Sequence, residues 1–370
     1  IDQFQSQIRP WLAQCDRLLF HRGPDSGGAY INENVVLAAR RLRIHDLSEN
    51  ADQPFELTDH GVTLVWNGAI FNFRHLRREL EKQGCHFKTD CDSEVLGVGY
   101  SHWGDSVFER LDGMFALAIL DRNRNRFILA RDKLGIKPLF IYRSEKFWAF
   151  SSEIKPLLAH PNISKKVNFE AVSEQMAFQF IMPPRTLFKG IDVFLPGHLA
   201  IVDFGTGTTQ TRPYWQMSAD LVSRVGTEDI EDAFETSLKR CWDSDRSVGV
   251  QLSGGVDSSL ICLLSQDRLK MNHFQTFSVL FDDSTARFYL PRSEETYIQR
   301  ISRQCGLQNF SYTFDAEKVR PALAEAIWFN EQPLHGASTV LYGLLAREIK
   351  KHVSVIITGE GADDIFLGYF

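Results

Sequence analysis

The stretch Ser253-Gly254-Gly255-Val256-Asp257-Ser258-Ser259 constrains this chain more than any other. It follows a short apolar run over 247–252 and leads into a helical pattern over 260–265, so it reads as a loop from strand to helix. Such a loop presents backbone N–H groups and hydroxyls at a helix N-terminus, where the macrodipole favours an anion. The glycines permit close backbone approach and positive φ. Asp257 would repel a phosphate unless a divalent cation lay between them, so a nucleotide with magnesium is the expected ligand. The string is neither G-x-x-x-x-G-K-[ST] nor G-x-G-x-x-G, which argues against a P-loop kinase or a dinucleotide site.

At 370 residues, 44% hydrophobic and 24% charged, the chain is long enough for two domains. A net charge of −6 gives no electrostatic reason to expect nucleic acid, and Arg40, Arg41 and Arg43 form a local cluster rather than a basic stripe. There is no bilayer-length apolar run and no signal-peptide pattern, so a cytoplasmic protein without a membrane partner is expected. The cysteines Cys15, Cys85, Cys91, Cys241, Cys262 and Cys305 contain no C-x-x-C pair, which suggests neither a disulfide framework nor a zinc site. The chain opens at Ile1 and stops at Phe370 inside an apolar run, and it reads as cut at both ends.

Two grammars divide it. Residues 1–205 read as α+β layers, with strands at 62–66, 114–120, 127–130, 139–142, 147–151 and 199–204 and helices at 8–20, 73–83 and 93–103. The Gly/Thr-rich stretch 205–211 and Pro213 open an expected linker over 206–226. From 227 to 370, strands at 248–252, 276–281, 309–314 and 353–358 alternate with helices, one of them capped by Ser293. That order predicts a doubly wound parallel sheet whose ligands bind at the carboxyl ends of its strands. The cradle lies at one such end and Thr358-Gly359-Glu360-Gly361-Ala362-Asp363-Asp364 at another.

The loop at 253–259 resembles the pyrophosphate loop of the ATP pyrophosphatases, and the first half is similar to the class II glutamine amidotransferase domain. The matching segments are His21-Arg22-Gly23-Pro24-Asp25, Arg41-Leu42 leading to Gln53-Pro54, Trp66-Asn67-Gly68-Ala69-Ile70-Phe71-Asn72, Asp92-Ser93-Glu94, and 131–139 against R-D-x-x-G-x-[KR]-P-L. Together they resemble the asparagine synthetase family. The resemblance implies an α+β Ntn-type αββα sandwich followed by an α/β doubly wound parallel-sheet ATP-pyrophosphatase domain. It also implies that Arg41 holds the glutamine α-carboxylate through a bidentate guanidinium pair, that Asp92 takes the α-ammonium, and that Asn67 with the Gly68 N–H forms an oxyanion hole. Two departures stand out. The family's nucleophile is an N-terminal cysteine, whereas this chain begins with Ile1 and Cys15 lies within a helix; and the family's glutamate is Ala69 here.

The segment 358–369 resembles the second ATP signature, S-G-[ED]-G-x-D-E-x-F-x-G-Y. The resemblance implies that ATP is bound by Leu252, Ser253, Gly254, Gly255, Asp257, Ser258, Val279, Thr358 and Gly359. Asp257 and Asp363 would hold Mg²⁺ with the pyrophosphate, Val279 would meet the adenine, and Glu360 would orient an acyl-adenylate. Residues 331–339 stand where the family recognises aspartate, with His335 and Gly336 near the place of its arginine. The expected reaction is adenylation of a carboxylate, aspartate by default, followed by transfer of ammonia from glutamine. A related ligase acting on another carboxylate, β-lactam synthetase-like or lasso-cyclase-like with an inactive glutaminase half, is the alternative, and a non-catalytic homologue is opposed by retention of both ATP loops. Partners are small molecules, with a homodimer left open.

Overall fold

The chain divides into two compact units, residues 1–219 and 220–370. The computed structural model describes residues 2–218, 225–280, 293–334, 336–366 and 368.

The first unit runs α1 (Asp2–Leu19), β1 (Ser26–Ile31), β2 (Val36–Arg41), β3 (Phe55–Leu57), β4 (Val62–Ile70), α2 (Phe73–Lys82), α3 (Asp92–Trp103), α4 (Val107–Arg110), β5 (Gly113–Asp121) and β6 (Arg126–Arg131). It continues through β7 (Phe140–Arg143), β8 (Trp148–Ser151), α5 (Ile154–Leu158), α6 (Phe169–Phe178), β9 (Ile191–Val193), β10 (His198–Asp203) and β11 (Thr209–Pro213). A six-stranded antiparallel sheet, ordered β11-β10-β6-β5-β4-β3, forms its middle.

Successive side chains of a strand face opposite sides, and β5 shows the consequence. Phe115, Leu117 and Ile119 pack with Phe73, Leu76 and Leu80 of α2 and with Val95, Leu96 and Val98 of α3. Ala116, Ala118 and Leu120 turn the other way, onto Leu37 of β2, Ile141 of β7, and Trp148 and Phe150 of β8. Those residues belong to a second layer made of the β1-β2 hairpin and the three-stranded sheet β8-β7-β9. The far side of that layer carries α5 through Ile154 and Leu157, and α1 is tied to α5 by Trp11 Nε1 donating to Pro156 O at 2.8 Å. Helix, sheet, sheet and helix are therefore stacked in the expected αββα order.

The stretch read as the start of a linker is instead a hairpin. Residues 209–213 pair antiparallel with β10 as β11, the edge strand of the main sheet, and Tyr214 is buried in the core with its hydroxyl donating to Arg131 O at 2.8 Å.

The second unit runs α7 (Thr227–Trp242), β12 (Val248–Gln251), α8 (Val256–Asp267), β13 (Gln275–Leu280), α9 (Ser293–Gln304), β14 (Gln308–Thr313), α10 (Ala316–Asn330), α11 (Ala337–Ile349), β15 (Val355–Ile357) and α12 (Ala362–Phe366). Its strands pair in parallel in the order β14-β13-β12-β15. Leu238 of α7, Ile261 and Cys262 of α8, and Ile298 of α9 cover one face over Val250 and Leu252. Leu345 and Ile349 of α11 cover the other over Phe277. The chain steps outward from β12 to β14 and returns on the opposite side of β12 as β15. The strand order thus reverses between β12 and β15, which is where an open α/β sheet binds ligands. Phe281, His335, Leu367, Tyr369 and Phe370, which the sequence reading also used, lie outside the described residues.

Candidate active sites

The two glycine-rich loops of the second unit leave the carboxyl ends of β12 and β15 and meet. A Cβ on Gly359 would stand 2.9 Å from the Cβ of Asp257 and 3.4 Å from the Ser258 N, so only glycine lets the loops approach this closely. Gly254 has φ +84°, and a Cβ there would stand 2.7 Å from the Glu294 carbonyl oxygen of α9. Within the first loop the Ser258 hydroxyl accepts from Ser253 N at 3.1 Å and lies 3.0 Å from the Ser253 hydroxyl, while Gly255 N donates to that Ser253 oxygen at 3.3 Å. These bonds wind the loop onto the first turn of α8. One pocket follows, lined by Gln251, Ser253, Gly255, Asp257, Ser258, Tyr342, Thr358, Gly359, Glu360, Gly361 and Asp363.

Most of the residues expected to bind ATP therefore converge. Leu252 is buried beneath the pocket, where the Ser278 hydroxyl donates to its carbonyl at 2.6 Å, and Gly254 faces α9. The Val279 side chain does not join the lining. It is partly buried against the cluster of Phe277, Leu345, Ile349 and Val353, because alternate residues of β13 share a face and Phe277 fixes which one. Gln251 and Tyr342 were missed. Gln251 carried a signal, a polar residue closing the strand Val248-Gly249-Val250-Gln251, whereas Tyr342 sits in a helical run whose position over the pocket is set by tertiary packing alone.

Among the described residues, no group of three or more His, Cys, Asp or Glu could by itself hold a metal ion. The donor set nevertheless fits magnesium. Mg²⁺ is held by one or two carboxylates together with substrate phosphates rather than by an all-protein cage, and Asp257 and Asp363 supply two carboxylates in one pocket.

In the first unit, Asn67 and Gly68 lie within β4, opposite Ala116 and Phe115 of β5. The Asn67 amide nitrogen is buried and makes no hydrogen bond within the protein, which leaves it able to donate to a ligand oxygen or a water. Asp92 opens α3, and its Oδ2 accepts from Ile70 N, just past Asn67 and Gly68 on β4, at 3.5 Å. Burial pushes the Asp92 carboxyl up to about 6, and the nearby His45 pulls in the opposite direction. Burial against α5 pushes the Cys15 thiol up to about 12, which disfavours the thiolate that a nucleophile needs.

Arg41 departs from expectation. Its Nη1 donates to Ser48 O at 3.0 Å and Asp52 Oδ1 at 2.7 Å, and its Nη2 donates to His45 O at 3.0 Å and Asp46 O at 2.7 Å. All four terminal N–H groups are committed to the protein's own loop, so the fork expected to be free for a ligand carboxylate is closed.

Two of the matched segments prove to be scaffolding. Glu153 is buried with His21 Nε2 at 2.7 Å, Arg22 Nη1 at 3.1 Å and Lys155 Nζ at 2.9 Å. Burial works to raise its carboxyl, and Lys155, Arg22 and His21 more than reverse that, leaving it below the usual carboxylate range. The carboxylate of Asp132 accepts from the backbone N–H of Phe115, Leu134, Ile136 and Lys137 at 2.9–3.1 Å. Arg131 donates to the carbonyls of Gly135, Lys137 and Phe194 at 2.6–2.7 Å.

An αββα unit with an unpaired buried amide on β4 and a buried acid opening α3, in one chain with a parallel sheet whose two acidic glycine-rich loops meet at its switch point, defines a two-domain class. Residues 2–215 match the glutamine amidotransferase domain model, and residues 229–370 match the asparagine synthase model. The chain belongs to the family that joins these two domains. Asparagine synthetase [glutamine-hydrolyzing] 1 of Bacillus subtilis is 34% identical over 362 residues, covering 97% of this chain and 55% of the relative. Asparagine synthetase [glutamine-hydrolyzing] 3 of the same organism is 30% identical over 388 residues, covering 99% and 62%. The chain thus spans less than two thirds of the length of these curated relatives. Among solved structures, the glutamine phosphoribosylpyrophosphate amidotransferase of B. subtilis is 14% identical with a TM-score of 0.42, covering 82% of this chain and 87% of that one.

Proposed function

We propose that this chain carries both halves of an ATP-dependent, glutamine-using amide ligase, with aspartate as the carboxylate that is amidated. The observation that carries the reading is the closure of two acidic glycine-rich loops around one pocket, Gly359 against Asp257, at the point where the strand order reverses. The names of the relatives supply the choice of aspartate.

In the second half, N–H groups at the start of α8 and the Ser253 hydroxyl face the pyrophosphate of ATP. Asp257 and Asp363 would hold Mg²⁺, which neutralises charge on the leaving group. The substrate carboxylate oxygen bonds to the α-phosphorus as the bond to the bridging oxygen of pyrophosphate breaks. Glu360 orients the acyl-adenylate; ammonia then bonds to the acyl carbon, loses a proton, and AMP departs. In the first half, addition of a nucleophile to the glutamine side-chain carbonyl carbon would form an oxyanion to which Asn67 and the Gly68 N–H donate, ammonia leaving as it collapses. Asp92 would meet the α-ammonium, and Arg41 the α-carboxylate once one of its four acceptors lets go.

In the complete protein, Asn67→Ala tests the division of labour. Loss of one oxyanion donor costs about 100- to 1000-fold in kcat, so glutamine-dependent synthesis falls by that factor while ammonia-dependent synthesis is unchanged. An equal fall in both reactions contradicts the assignment.

Asp92 sets a stability and function conflict. Its folded pKa of about 6 lies above the roughly 4 of an unfolded aspartate, so stability is greatest where Asp92 is protonated and declines as pH rises from about 4 to 6. The ammonium needs the ionised form, so glutamine KM should rise as pH falls below about 6. Asp92→Asn is expected to raise stability at pH 8 by on the order of 1–2 kcal/mol while weakening glutamine binding. Paired melting curves and glutamine KM values check this, and a lowered melting temperature would count against it.

A further inference from the structure

Arg43 and Asp52 lie beside Arg41 and have no part in the reaction as described. Asp52 Oδ1 accepts from Arg41 Nη1 at 2.7 Å and from Arg43 Nε at 3.2 Å, and its Oδ2 accepts from Arg43 Nη2 at 2.8 Å. Arg43 therefore grips Asp52 at two points and Arg41 holds it at one. The other three terminal N–H groups of Arg41 go to the carbonyls of Ser48, His45 and Asp46, which belong to the loop itself. Of the four acceptors, Asp52 alone can let go of Arg41 and still have both oxygens paired. Asp52 answers two guanidinium groups at once, and the Arg41 and Asp52 side chains are 10% and 29% exposed, so their contact is partly shielded from water.

We propose that Asp52 is an internal stand-in for a substrate carboxylate: it occupies Arg41 Nη1 in the free protein, shifts wholly onto Arg43 when an amino-acid α-carboxylate binds Arg41, and so sets the affinity of the first half for glutamine. This rests on the reading that Arg41 meets the glutamine α-carboxylate. Burial works to raise the Asp52 carboxyl, but the hydrogen bonds from Arg43 and Arg41 outweigh it and hold the group below the usual carboxylate range, so the competitor stays charged at working pH. Asp25 and Glu49 also act on Arg43 electrostatically and favour its charged form.

In the complete protein, Asp52→Asn removes the competing charge and should lower glutamine KM about 3- to 10-fold with kcat unchanged. Arg43→Met removes the guanidinium that Asp52 would shift onto and should raise glutamine KM, and the double variant should behave as Asp52→Asn does. Phenylglyoxal labelling of Arg41, read by peptide mass spectrometry, reports its availability without turnover. It should quicken several-fold in Asp52→Asn and be suppressed by glutamine. Unchanged labelling, or a KM that rises in Asp52→Asn, overturns the proposal even where glutamine still protects Arg41 in the parent protein. Absence of glutamine protection in the parent overturns instead the placing of the α-carboxylate on Arg41, and the proposal falls with it.

Discussion

Replacing Asp257 by Asn is expected to lower carboxylate-dependent ATP–pyrophosphate exchange by about 100-fold or more, because the pocket loses one of the two carboxylates proposed to hold Mg²⁺. Asp257 stands in the first turn of α8, half buried, with its Cβ against Gly359. Asparagine fills the same space and leaves that packing intact. What changes is charge: the helix N-terminus loses a favourable anion, which costs less than about 1 kcal/mol at this exposure. The melting temperature should therefore shift by no more than a few degrees while exchange disappears. Wild-type exchange in the variant would remove Asp257 from the site, and a large fall in melting temperature would turn the lost activity into a folding defect.

The largest stability effect is expected at Asp132. Its carboxylate is 1% exposed and accepts four backbone N–H groups, from Phe115 on β5 and from the loop that carries Leu134, Ile136 and Lys137. Alanine leaves four backbone donors without their acceptor, one of them on the buried Phe115 of β5. Each such donor costs about 1–3 kcal/mol in isolation, and since neighbours relax together the sum is expected near 3–5 kcal/mol. For a unit of about 200 residues that is a fall of roughly 10 °C in melting temperature. Asp132→Asn keeps one acceptor oxygen and should recover part of the loss. Calorimetry on both variants checks this, and a shift of under about 2 °C for alanine would show that the loop does not depend on Asp132.

These two residues show what could be read from the chain and what could not. The two glycine-rich loops and their meeting at one pocket were legible because glycine, acid and hydroxyl residues in a fixed order after a strand mark a tight strand-to-helix loop. The main sheet was legible because residues 114–120 and 127–130 are apolar on both faces, as a strand between two packed layers must be. Strand β11 was not, since Thr209-Gln210-Thr211-Arg212-Pro213 is an edge strand, mostly exposed, with no apolar alternation to reveal it. The Arg131-Asp132 segment was recognisable as a motif, but its work is to satisfy backbone groups, and that depends on where Phe115 and Phe194 arrive in space. For Arg41 the sequence suggested a role and was silent on its hydrogen bonds. Whether a guanidinium is free depends on carbonyls brought round by the 45–52 loop, which carry no side-chain signature.

Adenylation of a carboxylate by the second half is tested most directly by isotope transfer. Aspartate carrying ¹⁸O in its side-chain carboxylate, turned over with ATP, magnesium and ammonia by the complete protein, should yield AMP bearing one ¹⁸O atom, with pyrophosphate unlabelled. Label in inorganic phosphate with release of ADP would mean that the γ-phosphate is transferred instead, and would contradict the account of the paired loops.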